Sequence, residues 1–357
     1  DNVNVAITAA ELIKRNAQNA EEITTYAQKT ENHRVKALLL GAALSVAENK
    51  EAFSENIKAT YDSAKNPYYK AGLLEALASY LPNYQYIITQ TFDAEHKAVS
   101  TAGTMALVSL RARESFPNEL KEAFSDVFKQ LIQTKDIAIV AIVSGVLSNP
   151  QYNFADEYED FQFLYDAKNS LSLPKDNEAL QVLNNTIALF EGKEEMPATK
   201  NDFNNPIDWE LIKKIPADQL VKVSTSKGDI RLKLLVNEAP GSVANFYSLA
   251  EEGYFDNKNF HRVVPNFVIQ GGCNRGDGYG GENYSIRSEL ANIRYETGSV
   301  GMASAGKDTE GTQWFITHSP TPHLDGRYTI FAEVEEGMDV VHSMEAGDLI
   351  NKVEILK

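Results

Sequence analysis

Arg262, Phe267 and Gln270 fall in the stretch Phe260-His261-Arg262-Val263-Val264-Pro265-Asn266-Phe267-Val268-Ile269-Gln270, which runs on into Gly271-Gly272. A guanidinium stays protonated at any relevant pH and holds its N–H donors in a fixed plane. Gln270 lies at an even separation from Arg262, so on one strand both side chains face the same side. With Phe267 they can converge on a single apolar groove with a strong donor at its edge. Such a donor can hydrogen-bond an acceptor held over the groove.

Other constellations carry less. Gly276-x-Gly278-x-x-Gly281 satisfies a dinucleotide-binding pattern, but no strand leads into it and no amphipathic helix follows, as phosphate binding there requires. The six histidines have no metal-site spacing, so ring packing or hydrogen bonding is the reading for them. Glu251-Glu252 and Glu335-Glu336 read as solvated charge pairs, not an acid/base dyad.

The elements that must position these residues change character along the chain. Residues 1–190 read as all-helical. Glu31 to Ala47 carries Val35, Leu38, Leu39, Ala42 and Val46 at helical period. Similar faces begin near Pro67, His96 and Asp136, with a weaker one from Leu180 to Phe190. Each of the first four is expected to be followed by a second amphipathic stretch, such as Ala52–Tyr61, Tyr84–Phe92 and Leu120–Ile132. Ala37, Ala71, Ala102 and Ala141 recur at roughly 30–40 residues, which suggests a HEAT-like solenoid of stacked helix pairs; an irregular helical bundle is the alternative. Residues 191–219 form a joint, where Gly192, Pro197, Pro206 and Pro216 interrupt helices and Ile207, Trp209, Leu211 and Ile212 offer apolar surface to a neighbour. From Leu220 the period becomes two. Val221, Val223 and Thr225 alternate, Ser226-Lys227-Gly228-Asp229 turns, and Ile230, Leu232 and Leu234 alternate again, as in a hairpin. Pro240–Glu252 reads as a helix ended by Gly253. Short strands at 263–270, 298–302, 313–317 and 329–334 follow, which points to an antiparallel barrel over residues 220–357.

Composition narrows the function classes. The chain has 357 residues, 43% hydrophobic and 24% charged, with a net charge of −16. Acidic residues prevail in both halves, which argues against nucleic acid, whose binding is driven by phosphate neutralisation. No run of about eighteen apolar residues exists to span a membrane. Cys273 is the single cysteine, so an internal disulfide and a Cys-based zinc site are excluded. The sequence starts at Asp1 without Met, so any signal peptide would lie outside it.

Four blocks in order resemble the signature of a cyclophilin-type peptidyl-prolyl cis-trans isomerase of bacterial type: Phe260–Gly272, Met302-Ala303-Ser304-Ala305-Gly306, Gln313-Trp314-Phe315-Ile316, and His323-Leu324-Asp325-Gly326-Arg327-Tyr328 with its continuation to Phe331. The resemblance runs from about Leu220 to Lys357. It implies a closed eight-stranded barrel capped by two helices, no cofactor and no metal, and proline-containing polypeptides as substrates. The residues matching Arg262, Gln270 and Phe267 are catalytic in the family. His261, Val268, Met302, Ala303, Ser304, Gln313, Phe315, His323, Leu324 and Tyr328 are expected to bind substrate: Met302, Phe315 and Leu324, with Phe267, as floor for the proline ring, and Ala303, Ser304 and Gln313 along the peptide backbone.

The implied chemistry is rotation about an amide. The barrier is about 18–20 kcal/mol. At its top the prolyl nitrogen recovers its lone pair and can accept a hydrogen bond, so a donor aimed there lowers the transition state selectively. A gain of about 10⁴-fold asks for only about 5.4 kcal/mol. Three positions depart from the usual pattern. His323 stands where many eukaryotic members carry Trp, Tyr328 where many carry His, and Ser304 where Asn is usual. The helical region is expected to hold clients or dock a protein partner. A proline-peptide-binding or holdase protein in which isomerisation is incidental is the alternative. The two-part layout resembles envelope-facing bacterial folding factors, which favours an extracytoplasmic location over a cytoplasmic one.

Overall fold

The computed structural model describes residues 2–193 and 203–357; Pro197 of the expected joint lies outside them. Two compact units emerge. One holds residues 7–171 and 178–193; the other holds residues 2–6, 172–177 and 203–357.

The first unit is helical. Its helices are α1 (Val3–Arg15, which begins in the other unit), α2 (Ala20–Lys29), α3 (His33–Val46), α4 (Lys50–Ser63), α5 (Pro67–Leu77), α6 (Tyr84–Phe92), α7 (Lys97–Arg111), α8 (Lys121–Gln133), α9 (Ile137–Leu147), α10 (Gln162–Lys168) and α11 (Asn177–Phe190). Asparagine starts four of them in succession: Asn19, Asn32, Asn49 and Asn66 each accept backbone N–H groups of the first turn that have no partner inside the helix. Helix α3 packs on α5, α5 on α7 and α7 on α9, while α2, α4, α6 and α8 pair with the helix that follows each of them. Small residues allow the close approach. A methyl on Gly72 would lie 2.9 Å from Ala37 Cβ. Leu73, Leu74, Leu107, Phe124, Phe128 and Leu147 are among the residues that fill the continuous core.

The second unit is built on a nine-stranded antiparallel sheet in the order β3-β9-β1-β2-β8-β6-β7-β5-β4. The strands are β1 (Leu220–Thr225), β2 (Gly228–Leu234), β3 (Lys258–Asn259), β4 (Arg262–Val264), β5 (Val268–Gly271), β6 (Ser299–Met302), β7 (Trp314–Thr317), β8 (Ile330–Glu336) and β9 (Leu349–Ile355). Helices α13 (Pro240–Glu251) and α14 (Met338–Ser343) accompany it, and a short α12 (Trp209–Ile212) precedes it. Gly253, at φ +69°, follows α13 as its expected stop. The expected closed eight-stranded barrel is instead a curled half-barrel of nine strands. Its two edges, β3 and β4, belong to one segment that Phe260 and His261 divide, pairing with β9 on one side and β5 on the other.

The expected single strand over 263–270 is a hairpin. Pro265 and Asn266 turn it, with Asn266 at φ +60° and Phe267 N–H donating to Val264 O at 3.0 Å. Proline followed by a residue at positive φ suits a type II turn. The residues ahead of β1 are part of this unit's core. Ile215 is buried in it, Leu211 and Ile212 pack against it, and the N–H groups of Asn204 and Asn205 donate to Ser285 O. Trp209, by contrast, is exposed.

Candidate active site

Strand pairing sorts the side chains by row. Val263, Ile269, Ile316 and Val300 stand opposite one another across β4, β5, β7 and β6, and all four are buried in the sheet's core. Because successive residues of a strand point to opposite faces, the neighbouring row must point away from that core. That row is Arg262, Gln270, Phe315 and Gly301. Arg262 and Gln270 thus share a face as a cross-strand pair on two antiparallel strands, not as two positions of one strand. The next row, with Trp314 opposite Met302, returns to the core. Met302, expected in the groove floor, is therefore placed inside the sheet at 1% exposure.

The outward row forms a polar wall and an apolar floor. On the wall, exposed Arg262 donates through Nη1 to Gln270 Oε1 at 3.4 Å, and Gln270 Nε2 donates to Gln313 Oε1 at 3.0 Å. Gln313 Nε2 in turn donates to the carbonyls of Gly278 and Gly280, both at 2.8 Å. The glycine-rich stretch thus anchors the wall through its backbone oxygens, which is the reverse of a phosphate cradle made of N–H donors. Arg262 has donors to spare beyond Gln270.

The floor is a small cluster of its own. Val268, Tyr295, Phe315, Leu324 and Ile330 are buried in it, and Phe267, Ala303 and Tyr328 pack against it half-buried. Phe315 stacks on Tyr295 at 5.7 Å and meets Tyr328 edge-on at 6.0 Å. The ring of Phe267 lies 5.3 Å from that of exposed His323. Gly301 is required here: a Cβ would collide with Phe315 and the Tyr295 hydroxyl. Ser304 is half-buried just past Ala303, whose N–H donates to Gln313 O at 3.0 Å.

His261 stands beside the wall, next to Arg262 and against Gly278. Burial pushes its pKa down to about 4, Arg262 adds to that and Asp277 opposes it. Its ring is neutral at pH 7, and both ring nitrogens are buried without a hydrogen-bond partner among the described residues. The structure therefore brings together Arg262, Phe267, Val268, Gln270, Ala303, Gln313, Phe315, His323, Leu324 and Tyr328. It keeps Met302 in the core and sets half-buried His261 beside the wall. Tyr295 and Gly301 were missed by sequence reasoning. Tyr295 lies in an irregular stretch with no periodicity to mark it, and Gly301 is one glycine inside a buried strand. Among the described residues no group of His, Cys, Asp and Glu could hold a metal ion, and no helix is long and apolar enough to cross a membrane.

Known proteins are similar to the C-terminal part of this chain. The family model for cyclophilin type peptidyl-prolyl cis-trans isomerases matches residues 220–357. A peptidyl-prolyl cis-trans isomerase of Synechococcus elongatus is 46% identical over 136 residues, covering 38% of this chain and 94% of that protein. Peptidyl-prolyl cis-trans isomerase B of Bacillus subtilis is 46% identical over 128 residues, covering 35% of this chain and 90% of that protein. Among solved structures, a cyclophilin type isomerase of Cryptosporidium parvum aligns with a TM-score of 0.37 at 30% identity, over 39% of this chain and 98% of that one.

Proposed function

Since this chain belongs to the cyclophilin-type peptidyl-prolyl cis-trans isomerases, we propose that its groove accelerates rotation about X-Pro bonds in unfolded or partly folded polypeptides, with Arg262 as the hydrogen-bond donor. One observation carries the assignment of roles: Arg262, Gln270 and Phe315 occupy one row of one face, donor at the edge and aromatic floor beside it. The proline ring rests on Phe315, Leu324 and Phe267. As the amide twists, its nitrogen turns pyramidal, and the Arg262 guanidinium donates to the lone pair that appears. Gln270 holds the guanidinium plane. The 3.4 Å separation between them is of the loose kind that tightens when substrate is bound. Ala303, Ser304 and Gln313 take the peptide backbone beside the proline, and His323 and Tyr328 form the rim. Met302 contributes from within the core by fixing the strand that leads to Ala303.

The helical unit is read as a HEAT-like array that holds clients or docks a partner. The support is its stacking order, in which alternate helices α3, α5, α7 and α9 form one layer.

The test of the groove is isomerisation of a prolyl tetrapeptide, followed without a coupling protease. Arg262→Ala should lower kcat/KM by about 10²-fold or more, the scale of a lost transition-state donor, while the exposed position leaves Tm nearly unchanged. Arg262→Lys should also be poor, because a point charge cannot reproduce the planar fork. Near-normal turnover by the folded Ala variant would overturn the mechanism.

A further inference from the structure

A second polar device lies beneath the groove, outside the wall and floor already described. Glu310 is 0% exposed and makes no salt bridge among the described residues. Ser288 Oγ–H donates to its Oε2 at 2.9 Å, and Thr329 Oγ–H donates to its Oε1 at 3.3 Å. Each hydroxyl already accepts a backbone N–H: Ser288 Oγ from Asp308 at 2.8 Å, Thr329 Oγ from Glu289 at 2.8 Å. The hydroxyl protons are thereby directed at the carboxylate, which can accept both only when ionised. A buried carboxylate without a counter-charge is a costly way to fill space. What it supplies is two directed hydrogen bonds at defined points.

Both points lead to the groove. Asp308 sits at φ +62°, a left-handed conformation that needs support in a non-glycine residue. Ser288 provides that support from both sides, since its N–H also donates to Asp308 Oδ1 at 2.9 Å. Asp308 belongs to the loop that begins with Ala303 and Ser304. At the other end, Thr329 O accepts Met302 N–H at 3.0 Å and the Tyr295 hydroxyl at 3.0 Å, and Tyr295 stacks on Phe315. We propose that Glu310 is a positioning residue for the isomerase groove: through Ser288 and Thr329, its carboxylate fixes the rim loop that presents Ala303 and Ser304 and the ring stack beneath the proline. This rests on the isomerase reading above.

The groups around the carboxylate set its proton affinity. Burial raises its pKa most, and the charge of Asp308 adds to that; the hydrogen bonds from Ser288, its own backbone and Thr329 pull the other way, with a net rise. Glu289 is committed elsewhere, accepting Gly241 N–H, Ser242 N–H and the Ser242 hydroxyl at the start of α13. Tyr295, with Asp325 and Tyr328 near it, completes the ionisable surroundings. Protonation turns one acceptor oxygen into a donor and releases one of the two hydroxyls. Peptide affinity is therefore full above the pKa of Glu310 and falls as pH drops through it.

The experiment measures KM and kcat of the 357-residue chain on a prolyl tetrapeptide from pH 5 to 8 by NMR exchange, with Glu310→Gln alongside. At pH 7.5 Glu310→Gln should raise KM roughly three- to tenfold with kcat nearly unchanged, the signature of lost binding geometry and not of lost chemistry. Wild-type KM should rise toward pH 5 more steeply than that of the variant. Superimposable profiles with equal KM would overturn the proposal. On the unsubstituted chain, the amide shifts of Ala303, Ser304 and Asp308 should titrate together above the ordinary carboxyl range; flat shifts would overturn it independently. An inactive wild-type chain would contradict the isomerase reading instead, and the amide titration would still judge Glu310.

Discussion

In the helical unit, contacts join helices that are close in sequence: each helix meets the next, or the next but one, and its core is one continuous apolar seam. The sheet unit joins segments that are far apart. Its groove row draws Arg262 from β4, Gln270 from β5, Phe315 from β7 and Gly301 from β6, and its outer pairing brings β1 against β9. The difference has a chemical consequence. Local stacking repeats a surface, whereas long-range pairing sets unlike side chains side by side at fixed spacing. A donor, an amide and an aromatic ring meet in the second kind of unit. The sheet unit also buries the imidazoles of His261 and His318, so its order depends on neutral groups staying neutral.

The comparison can be broken first at the segment ahead of β1. If the sheet unit is held by distant contacts, then Ile215, Leu211 and Ile212 belong to it although they precede its first strand. A 216–357 fragment should be less stable than a 203–357 fragment by about 2–4 kcal/mol, the scale of one buried Ile plus partly buried neighbours. Equal denaturation midpoints would show that the preceding segment is a dispensable tether.

Acid gives the next effect. His261 and His318 are both lowered to about 4, by burial foremost. In the unfolded chain both take up protons near pH 6.5, while in the folded chain they do so only near 4. Stability is therefore complete above about pH 6.5 and is lost as pH falls from there toward 4, by at most about 1.4 kcal/mol per pH unit for each ring. The 357-residue chain should show that slope in urea midpoints between pH 6.5 and 4.5. His261→Asn should flatten part of it, and an unchanged slope would remove His261 from the account.

The smallest effect concerns the helical unit. If it holds clients, it raises their effective concentration at the groove without touching the chemistry. Proline-limited refolding of a protein should run a few-fold faster with the 357-residue chain than with the sheet fragment, and adding the helical unit as a separate molecule should not restore the difference. Equal rates across several clients would favour a dedicated docking module.

Legibility in the sequence follows the same division. Helices α3, α5, α7 and α9 announce themselves by period, and α6 by its apolar face, because each buries one side against a neighbour. The asparagine starts at 19 and 32 were equally visible signals, and α2 could have been read from the first of them. In the sheet unit the residues of the groove are visible but their geometry is not. Arg262 and Gln270 share a face for a reason other than even spacing: Pro265-Asn266 turns the chain between them. Strand β9 escapes a search for alternation because a register shift opposite Ser224 and Thr225 leaves its buried residues at Ile350 and Val353, three apart. Met302 adjoins Ala303 in sequence yet faces inward, since alternation along β6 assigns it to the row of Trp314. Tyr295 and Glu310 act through partners such as Thr329 that are distant in sequence, and no local pattern encodes such a contact.

The account's central claim is that isomerisation resides wholly in residues 203–357 of the sheet unit. The most direct measurement compares kcat/KM of the 203–357 fragment with that of the 357-residue chain on the same prolyl tetrapeptide, each with and without Arg262→Ala. The expected result is equal values for the two unsubstituted proteins and a parallel loss of about 10²-fold or more in both variants. A folded fragment that is tenfold slower than the whole chain, or that is indifferent to Arg262→Ala, would contradict it.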